Sequence, residues 1–159
     1  RTPEELAVLL KNFGGERFSR GIATAIVRRR KSRPIWTTAD LVAVIHSAIP
    51  PSRRKWAESG RIHFATRTFQ ALRIAVNHEL ENIARGLAGA AAVLAPGGRI
   101  VTIAFHYGED AAVKHFFREA PMRSAFKPLT PKPIQPTSRE ISLNPRARSA
   151  LLRAYEKIA

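Results

Sequence analysis

Three runs with apolar residues at helical spacing occupy the first fifty residues: TPEELAVLLKNF, ERFSRGIATAIVRRRKSRP and TTADLVAVIHSAIPP. Each run predicts a helix. Thr2 can cap the first, and Pro3 suits its first helical position. Pro50-Pro51 would stop the third, and the basic stretch after it, SRRKWAESGRIHF, is predicted to be a loop. The chain therefore begins with a helical region.

From residue 66 the apolar spacing becomes longer and more regular. Residues 66–94 predict one long helix, perturbed at most near Gly86 and Gly89. The apolar IVTIAF then predicts a short buried strand of the kind found in parallel sheets, and GEDAAVKHFFREA predicts another helix. Residues 121–145 hold six of the eleven prolines and should be extended, and the closing RARSALLRAYEKI fits a helix or a strand.

A single buried strand between helices cannot cover both of its faces without further strands beside it. The order of predicted elements therefore resembles half of an α/β sheet. No internal repeat is evident.

Composition excludes several classes of protein. In 159 residues there is no apolar run near the roughly 18 to 20 residues that span a bilayer. The first residues also lack the charged-then-apolar layout of a signal peptide, so a soluble, cytoplasmic protein is expected. Because the chain has no cysteine, it can form neither disulfides nor thiolate metal sites, and it has no cysteine nucleophile.

Charge is the strongest compositional signal. The chain holds 27 Lys and Arg against 12 Asp and Glu, a net charge of +15 that favours a polyanionic partner. Residues 1–67 hold 14 basic and 5 acidic side chains, and residues 68–159 hold 13 and 7. The first two-fifths of the chain is therefore the better candidate for binding phosphates.

The second predicted helix carries a largely basic stripe on a face separate from its apolar positions, formed by Arg17, Arg20, Thr24, Arg28 and Lys31. This stripe and the following basic stretch predict a phosphate-binding surface formed by Arg17, Arg20, Arg28, Arg29, Arg30, Arg53, Arg54 and Lys55. A merely solubilising surface is the alternative. Trp36 and Trp56 border the basic runs and could stack on bases, although tryptophans of this kind are more often packed.

Phe105-His106-Tyr107-Gly108-Glu109-Asp110 follows the predicted strand directly. The carboxyl end of a parallel strand is where open α/β sheets place ligands, so His106 and Asp110 are candidates for the edge of a site. Alternatively, Glu109 and Asp110 only complement the dipole of the next helix. The other histidines show no metal-ligand spacing with a carboxylate, and no metal site is predicted.

Several stretches, in order, resemble the bacterial ribosomal small-subunit methyltransferase H family, also called MraW. The most specific are TRTFQALRI and NPRARSA, with FGGERFSRGIATAIVRRR, LAPGGRIVTIAFHYGEDAAVKHFFRE and LTPKPIQPT in support. The family transfers methyl from S-adenosylmethionine to N4 of a cytosine in 16S rRNA. Its motif Phe-His-Ser-Leu-Glu-Asp is matched here except at Tyr107 and Gly108.

The resemblance implies an α/β fold: the C-terminal part of a Rossmann-like class I methyltransferase sheet, preceded by a helical insertion domain. Residues 1–64 match the substrate-recognition insertion, and residues 65–159 match the C-terminal part of the methyltransferase domain. RSALLRAYEKI becomes an antiparallel strand, and KPLTPKPI its parallel neighbour. Thr66, Arg67, Gln70 and Arg73 begin the long helix, where RNA contact by Arg67, Gln70 and Arg73 competes with a solvated or domain-bridging face.

The family's Gly-rich cofactor loop and reactive-centre motif have no counterpart in this sequence. The resemblance therefore implies part of a 16S rRNA methyltransferase whose S-adenosylmethionine is held by a missing N-terminal part. For the chain alone, neither cofactor binding nor methyl transfer is expected. A non-enzymatic basic RNA-binding module is the alternative.

Overall fold

The computed structural model describes residues 1–59 and 63–158, without the side chains of residues 56–58. The chain forms two compact units, Arg1–His78 and Glu79–Ala159, each with a hydrophobic core. This division lies fourteen residues after the 64/65 boundary, because the helix that begins at Thr66 packs against the first helix. The assignment of residues 1–64 to a substrate-recognition insertion stays a prediction.

The described residues of the first unit form helices α1 Pro3–Gly14, α2 Ser19–Ser32, α3 Thr38–Ala48, α4 Pro51–Glu58 and α5 Thr66–Asn77. The three helices predicted over the first fifty residues are confirmed. Thr2 and Thr37 each form a capping box, with Glu5 and Asp40 as the reciprocal carboxylates. Gly15 ends α1 in the left-handed conformation, with φ of 58°.

The first unit has a hydrophobic core whose central residues are fully buried. Leu10, Ile22 and Ile45 are fully buried on α1, α2 and α3. Helices α1 and α5 approach closely at Gly14, where an added Cβ would lie 2.3 Å from the Arg67 carbonyl oxygen. A side chain at residue 14 would therefore push the two helices apart.

Helix α4 replaces part of the predicted basic loop, so that prediction was wrong for residues 52–58. Pro50-Pro51 ends α3, but Pro51 also occupies the first position of α4. A backbone N–H at that position has no partner within the helix, so its absence in proline costs no hydrogen bond. A double proline can thus end one helix and begin another. Residues 60–62 of the predicted loop lie outside the described residues.

In the second unit the described elements are α6 Glu79–Val93, β1 Arg99–Ala104, α7 Tyr107–Arg118, α8 Met122–Ala125, β2 Phe126–Pro128, α9 Ser138–Leu143, a 3-10 helix Pro145–Ser149 and β3 Leu151–Lys157. The predicted strand at IVTIAF and the helix after it are confirmed. Residues 121–145 were expected to be extended, yet they include α8 and α9. The ambiguous closing segment forms strand β3.

The single helix predicted over residues 66–94 was wrong. His78 adopts a left-handed conformation, with φ of 52°, and separates α5 from α6. The apolar spacing continues across this residue, and the break is not at Gly86 or Gly89, which both lie within α6. Non-glycine residues seldom adopt this conformation, so the sequence carries no strong local signal for the break.

The three described strands are ordered β1-β3-β2, and both pairs are antiparallel. The expected antiparallel strand in the closing segment is therefore confirmed, whereas a parallel pairing of KPLTPKPI with it was wrong. Ile100 faces Tyr155 and Thr102 faces Arg153 across β1 and β3. Among the described strands, β1 has a neighbour on only one side.

The two faces of this small sheet differ. Ile100 and Tyr155 pack with Val113 and Phe117 of α7 in the core of the second unit. On the opposite face Val101 and Ile103 are 57% and 58% exposed, so β1 is not the fully buried strand that its composition suggested. Among the described helices, none is long and apolar enough to cross a membrane.

Candidate functional site

Helix α2 presents the predicted basic stripe to solvent. Arg20, Thr24, Arg28 and Lys31 are exposed, and Ile22, Ile26 and Val27 are buried on its other side. Arg17 is also exposed but precedes the first residue of α2. The structure therefore brings Arg20, Arg28 and Lys31 onto one helical surface.

The three consecutive arginines of α2 have different surroundings. Arg29 is half-buried, and its guanidinium donates to the Arg33 carbonyl at 2.8 Å. Arg30 donates to the Arg1 carbonyl. These contacts restrain Arg29 and Arg30, whereas Arg28 is exposed, so the three residues are not equivalent candidates for binding phosphates.

The predicted residues of α4 and α5 are divided in a similar way. Arg53, Lys55 and Arg73 are exposed, and Gln70 is half-buried. Arg54 donates to the Ile49 carbonyl at 3.3 Å, and Arg67 donates to the Gly15 carbonyl at 3.3 Å. Arg54 and Arg67 thus help to hold helix ends together, a role that residue type alone does not reveal.

Two tryptophans lie beside the basic runs. Trp36, in the segment between α2 and α3, is 83% exposed. It is therefore not packed, contrary to the usual behaviour of a tryptophan. The side chain of Trp56 lies outside the described residues.

His106 follows β1 and is the N-cap of α7. Its Nδ1 accepts from the Glu109 N–H at 3.3 Å. Glu109 Oε2 in turn accepts from the N–H groups of Phe105, at 2.7 Å, and His106, at 3.2 Å. This capping box places the imidazole at the carboxyl end of β1, and it satisfies backbone donors that the start of a helix leaves unpaired.

Asp110, which follows Glu109, is buried and forms an ion pair with Arg153. Its carboxylate accepts from Arg153 Nε at 2.6 Å and from Arg153 Nη2 at 3.2 Å, and Lys114 Nζ lies 3.5 Å away. Both members of the pair are buried, with Asp110 4% and Arg153 8% exposed. This bidentate pair joins the first turn of α7 to β3.

The pair also shifts the ionisation of its members. The hydrogen bond from Arg153 lowers the pKa of Asp110, against the opposing effect of burial. The same hydrogen bond raises the pKa of Arg153, and burial raises the pKa of the neighbouring Tyr155. Asp110 is therefore a fixed anion, which does not suit it to accept a proton near neutral pH.

Glu79, His106 and Glu109 each offer one possible metal-ligand atom within 4.8 Å of the others. The capping bond requires the lone pair of His106 Nδ1, so a neutral imidazole carries its hydrogen on Nε2. Nε2 is buried, makes no hydrogen bond among the described residues and lies 3.3 Å from Glu109 Oε1. A metal at Nε2 would have to displace that hydrogen, so the geometry supports capping more than metal binding.

The two departures from the family motif lie in the first turn of α7. Tyr107 is 78% exposed, and Lys114 Nζ lies 5.7 Å from the centre of its ring. At Gly108 an added Cβ would lie 3.2 Å from His106 Nδ1. The absence of a side chain at residue 108 therefore leaves room for the capping imidazole.

Arg153 is the residue of this region that the sequence did not indicate. It lies within a strand whose apolar neighbours gave no sign of a buried charge. The available signal was an arginine between apolar residues near the end of the chain, together with a carboxylate in the first turn of a helix. The sequence alone does not give the register of β1 and β3, in which Thr102 lies opposite Arg153, so it does not show that the arginine and the carboxylate meet.

Comparison with known proteins identifies a family for this chain. The model of the MraW methylase family matches residues 2–158. The chain belongs to the MraW methylase family. The resemblance of its motifs to that family is thereby confirmed.

Relatives within the MraW methylase family include three proteins named ribosomal RNA small subunit methyltransferase H. The one from Pelobacter propionicus is 47% identical over 99% of this chain and 54% of its own length. Those from Thermomicrobium roseum and Kosmotoga olearia are 48% and 50% identical, each over 98% of this chain, and over 51% and 50% of their own lengths. The chain thus spans about half the length of the curated relatives it matches.

Proposed function

We propose that this chain is the C-terminal part of an S-adenosylmethionine-dependent methyltransferase that methylates N4 of a cytosine in 16S rRNA. The observation that carries the proposal is the match of nearly the whole chain to relatives named ribosomal RNA small subunit methyltransferase H. In this proposal residues 1–64 recognise RNA and residues 65–159 complete the catalytic domain.

The sheet of the second unit supports this division. Among the described strands, β1 has one edge without a neighbour and an exposed apolar face at Val101 and Ile103, and the relatives are about twice as long as the chain. Further strands on this edge, with helices on that face, would make the sheet a Rossmann-like one. The antiparallel β3, with a strand on either side, agrees with the antiparallel strand that the family resemblance implies.

The chemistry agrees with the composition. The exocyclic N4 of cytosine attacks the methyl group directly, so the reaction needs alignment with the sulfonium and an acceptor for a proton, but no enzyme thiolate. The chain has no cysteine to supply one. We assign His106 and Asp110 to the edge of the site: His106 holds the start of α7, and Asp110 anchors that turn to β3.

The cofactor-binding residues are proposed to lie outside this chain. Calorimetric titration of the chain with S-adenosylmethionine should therefore give no saturable heat. A chimera that joins the N-terminal half of the Kosmotoga olearia protein to Arg1 should bind the cofactor and transfer labelled methyl to 16S rRNA. The intact Kosmotoga olearia protein is the control, and mass spectrometry of the nucleosides should place the methyl on N4.

Two results would contradict this proposal. Saturable cofactor binding by the chain alone would show that the cofactor site is not missing. An inactive chimera that is correctly folded, beside an active control, would remove the assignment of the second unit to the catalytic domain.

A second candidate function is a non-enzymatic RNA-binding module. The observation that favours it is that residues 1–78 form a compact unit with a core of its own and hold 15 basic against 5 acidic side chains. Under either function the exposed stripe of α2 binds phosphates, and only the chimera separates the two.

Removing charge from the stripe should weaken RNA binding in a salt-dependent way. Replacing Arg20, Arg28 and Lys31 with glutamine should reduce the slope of log affinity against log salt by about 2, because each phosphate contact on a single strand contributes about 0.7. Fluorescence anisotropy with a labelled single-stranded RNA measures the slope.

A control with the same loss of charge replaces Arg139, Arg146 and Arg148, which are exposed in the second unit. The control should leave the slope nearly unchanged. Equal slopes for the two triple variants would show that net charge alone, and not the α2 surface, governs binding.

A further inference from the structure

Trp36 is a large aromatic side chain that the fold leaves in solvent. It is 83% exposed, whereas the residue before it, Ile35, packs against the core of the first unit. A tryptophan that is not buried forgoes the stabilisation that burial of its large apolar surface would give. The exposed ring therefore contributes little to the stability of this unit.

The backbone that carries Trp36 is nevertheless held in place. Asp40 Oδ2 accepts from the N–H groups of Trp36, at 3.3 Å, and Thr37, at 3.1 Å, and from the Thr37 hydroxyl at 2.8 Å. Hydrogen bonds from Thr37, with the nearby charge of Arg33, lower the pKa of Asp40, so its carboxylate stays ionised at neutral pH. The indole thus projects from a fixed point between α2 and α3.

The surroundings of Trp36 in the chain are strongly basic. The preceding residues 28–33 contain Arg28, Arg29, Arg30, Lys31 and Arg33. Arg33 is only three residues away, which limits its Cα to about 11 Å from that of Trp36. A ring on a fixed backbone beside exposed cations matches what an unpaired nucleotide offers, namely a flat base and a phosphate.

We propose that Trp36 is a stacking platform for one unpaired base of a single-stranded RNA whose phosphates bind Arg28 and Lys31. The inference rests on the proposed function, because it takes RNA as the partner of the basic surface. Stacking on an aromatic ring needs a base whose face is accessible, which a single strand or loop provides and a continuous duplex does not. Trp36 would thereby select unpaired RNA over other polyanions.

Indole fluorescence reports this contact directly. The chain has two tryptophans, so Trp56→Phe leaves Trp36 as the only indole. Titration of this variant with a single-stranded oligocytidine RNA should quench the fluorescence in a saturable way. Inorganic polyphosphate carries charge without bases, so it should compete for the surface while quenching little.

Substitution at Trp36 tests the contribution of stacking to affinity. Trp36→Ala should weaken oligocytidine binding about tenfold, whereas the affinity of this variant for polyphosphate should equal that of the parent. Trp36→Phe should restore most of the lost affinity because a phenyl ring also stacks. Thermal unfolding of both variants should match that of the parent, since the ring is exposed.

The outcomes separate this inference from the proposed function. If RNA binds with the expected salt slope but the fluorescence is unchanged and Trp36→Ala binds normally, the stacking role is overturned and the phosphate surface stands. If neither RNA nor polyphosphate binds, the phosphate surface and the stacking role are both overturned.

Discussion

A carboxylate buried as deeply as that of Asp110 is stable only while it is paired. Its partner Arg153 donates two hydrogen bonds from β3, and together they hold the first turn of α7 against the sheet. His106 caps the same helix four residues earlier in the chain. The residues proposed for the edge of the site are thus held by two independent restraints, a capping box and a buried ion pair.

Breaking the ion pair should destabilise the protein strongly. Asp110→Asn leaves the Arg153 guanidinium buried without its counter-charge, and the free energy of unfolding at pH 7 should fall by about 3 kcal/mol. Urea unfolding measures the change. Glu81→Gln, at an exposed carboxylate in the first turn of α6, should change it by less than about 0.5 kcal/mol.

The pH dependence of this loss has a definite sign. Because the pKa of Asp110 is lowered in the folded protein, its contribution to stability is complete above the unfolded value of about 3.9. The contribution disappears as the pH falls from there through the folded pKa. The difference between the parent and Asp110→Asn should therefore shrink below about pH 4, and a difference that does not depend on pH would contradict this account.

At the scale of elements, α1 and α5 depend on a contact that only glycine permits. Gly14→Ala places a methyl group 2.3 Å from the Arg67 carbonyl oxygen, so the helices must separate or bend. We expect the free energy of unfolding to fall by about 1 to 3 kcal/mol, as for other overpacked contacts. Thermal or urea unfolding followed by circular dichroism measures the effect.

Gly86→Ala is the matched control, because Gly86 is also helical but has no atom within 4 Å of an added Cβ. That change should raise the free energy of unfolding by about 0.5 to 1 kcal/mol through helix propensity alone. If both substitutions stabilise the protein, the close approach of α1 and α5 does not limit what residue 14 can be.

Elements with strong local signals were predictable from the sequence. The capping threonines, Pro3 and Gly15 define α1 and α3 without any tertiary information. The start of α4 and the break at His78 were not, because a double proline serves both to end and to begin a helix, and because the apolar spacing continues through residue 78. The first error missed a whole helix, and the second missed a boundary inside a continuous apolar pattern.

At the scale of the whole molecule, the sequence shows where the basic residues lie along the chain but not what each of them contacts. The stripe of α2 follows from helical spacing, yet only the structure shows that Arg29, Arg54 and Arg67 donate to backbone carbonyls. Arginine has enough donors to bind helix ends as well as phosphates. Composition cannot distinguish these uses, because they depend on which carbonyl the fold brings near.

The strand order of the second unit has a consequence for the timing of folding. Strands β1 and β2 do not pair with each other, and both pair with β3, which follows them in the chain. Until residues 151–157 have left the ribosome, β1 and β2 have no partner among the described strands. The described sheet can therefore assemble only after β3 has been made, and removal of β3 would eliminate this sheet instead of shortening it.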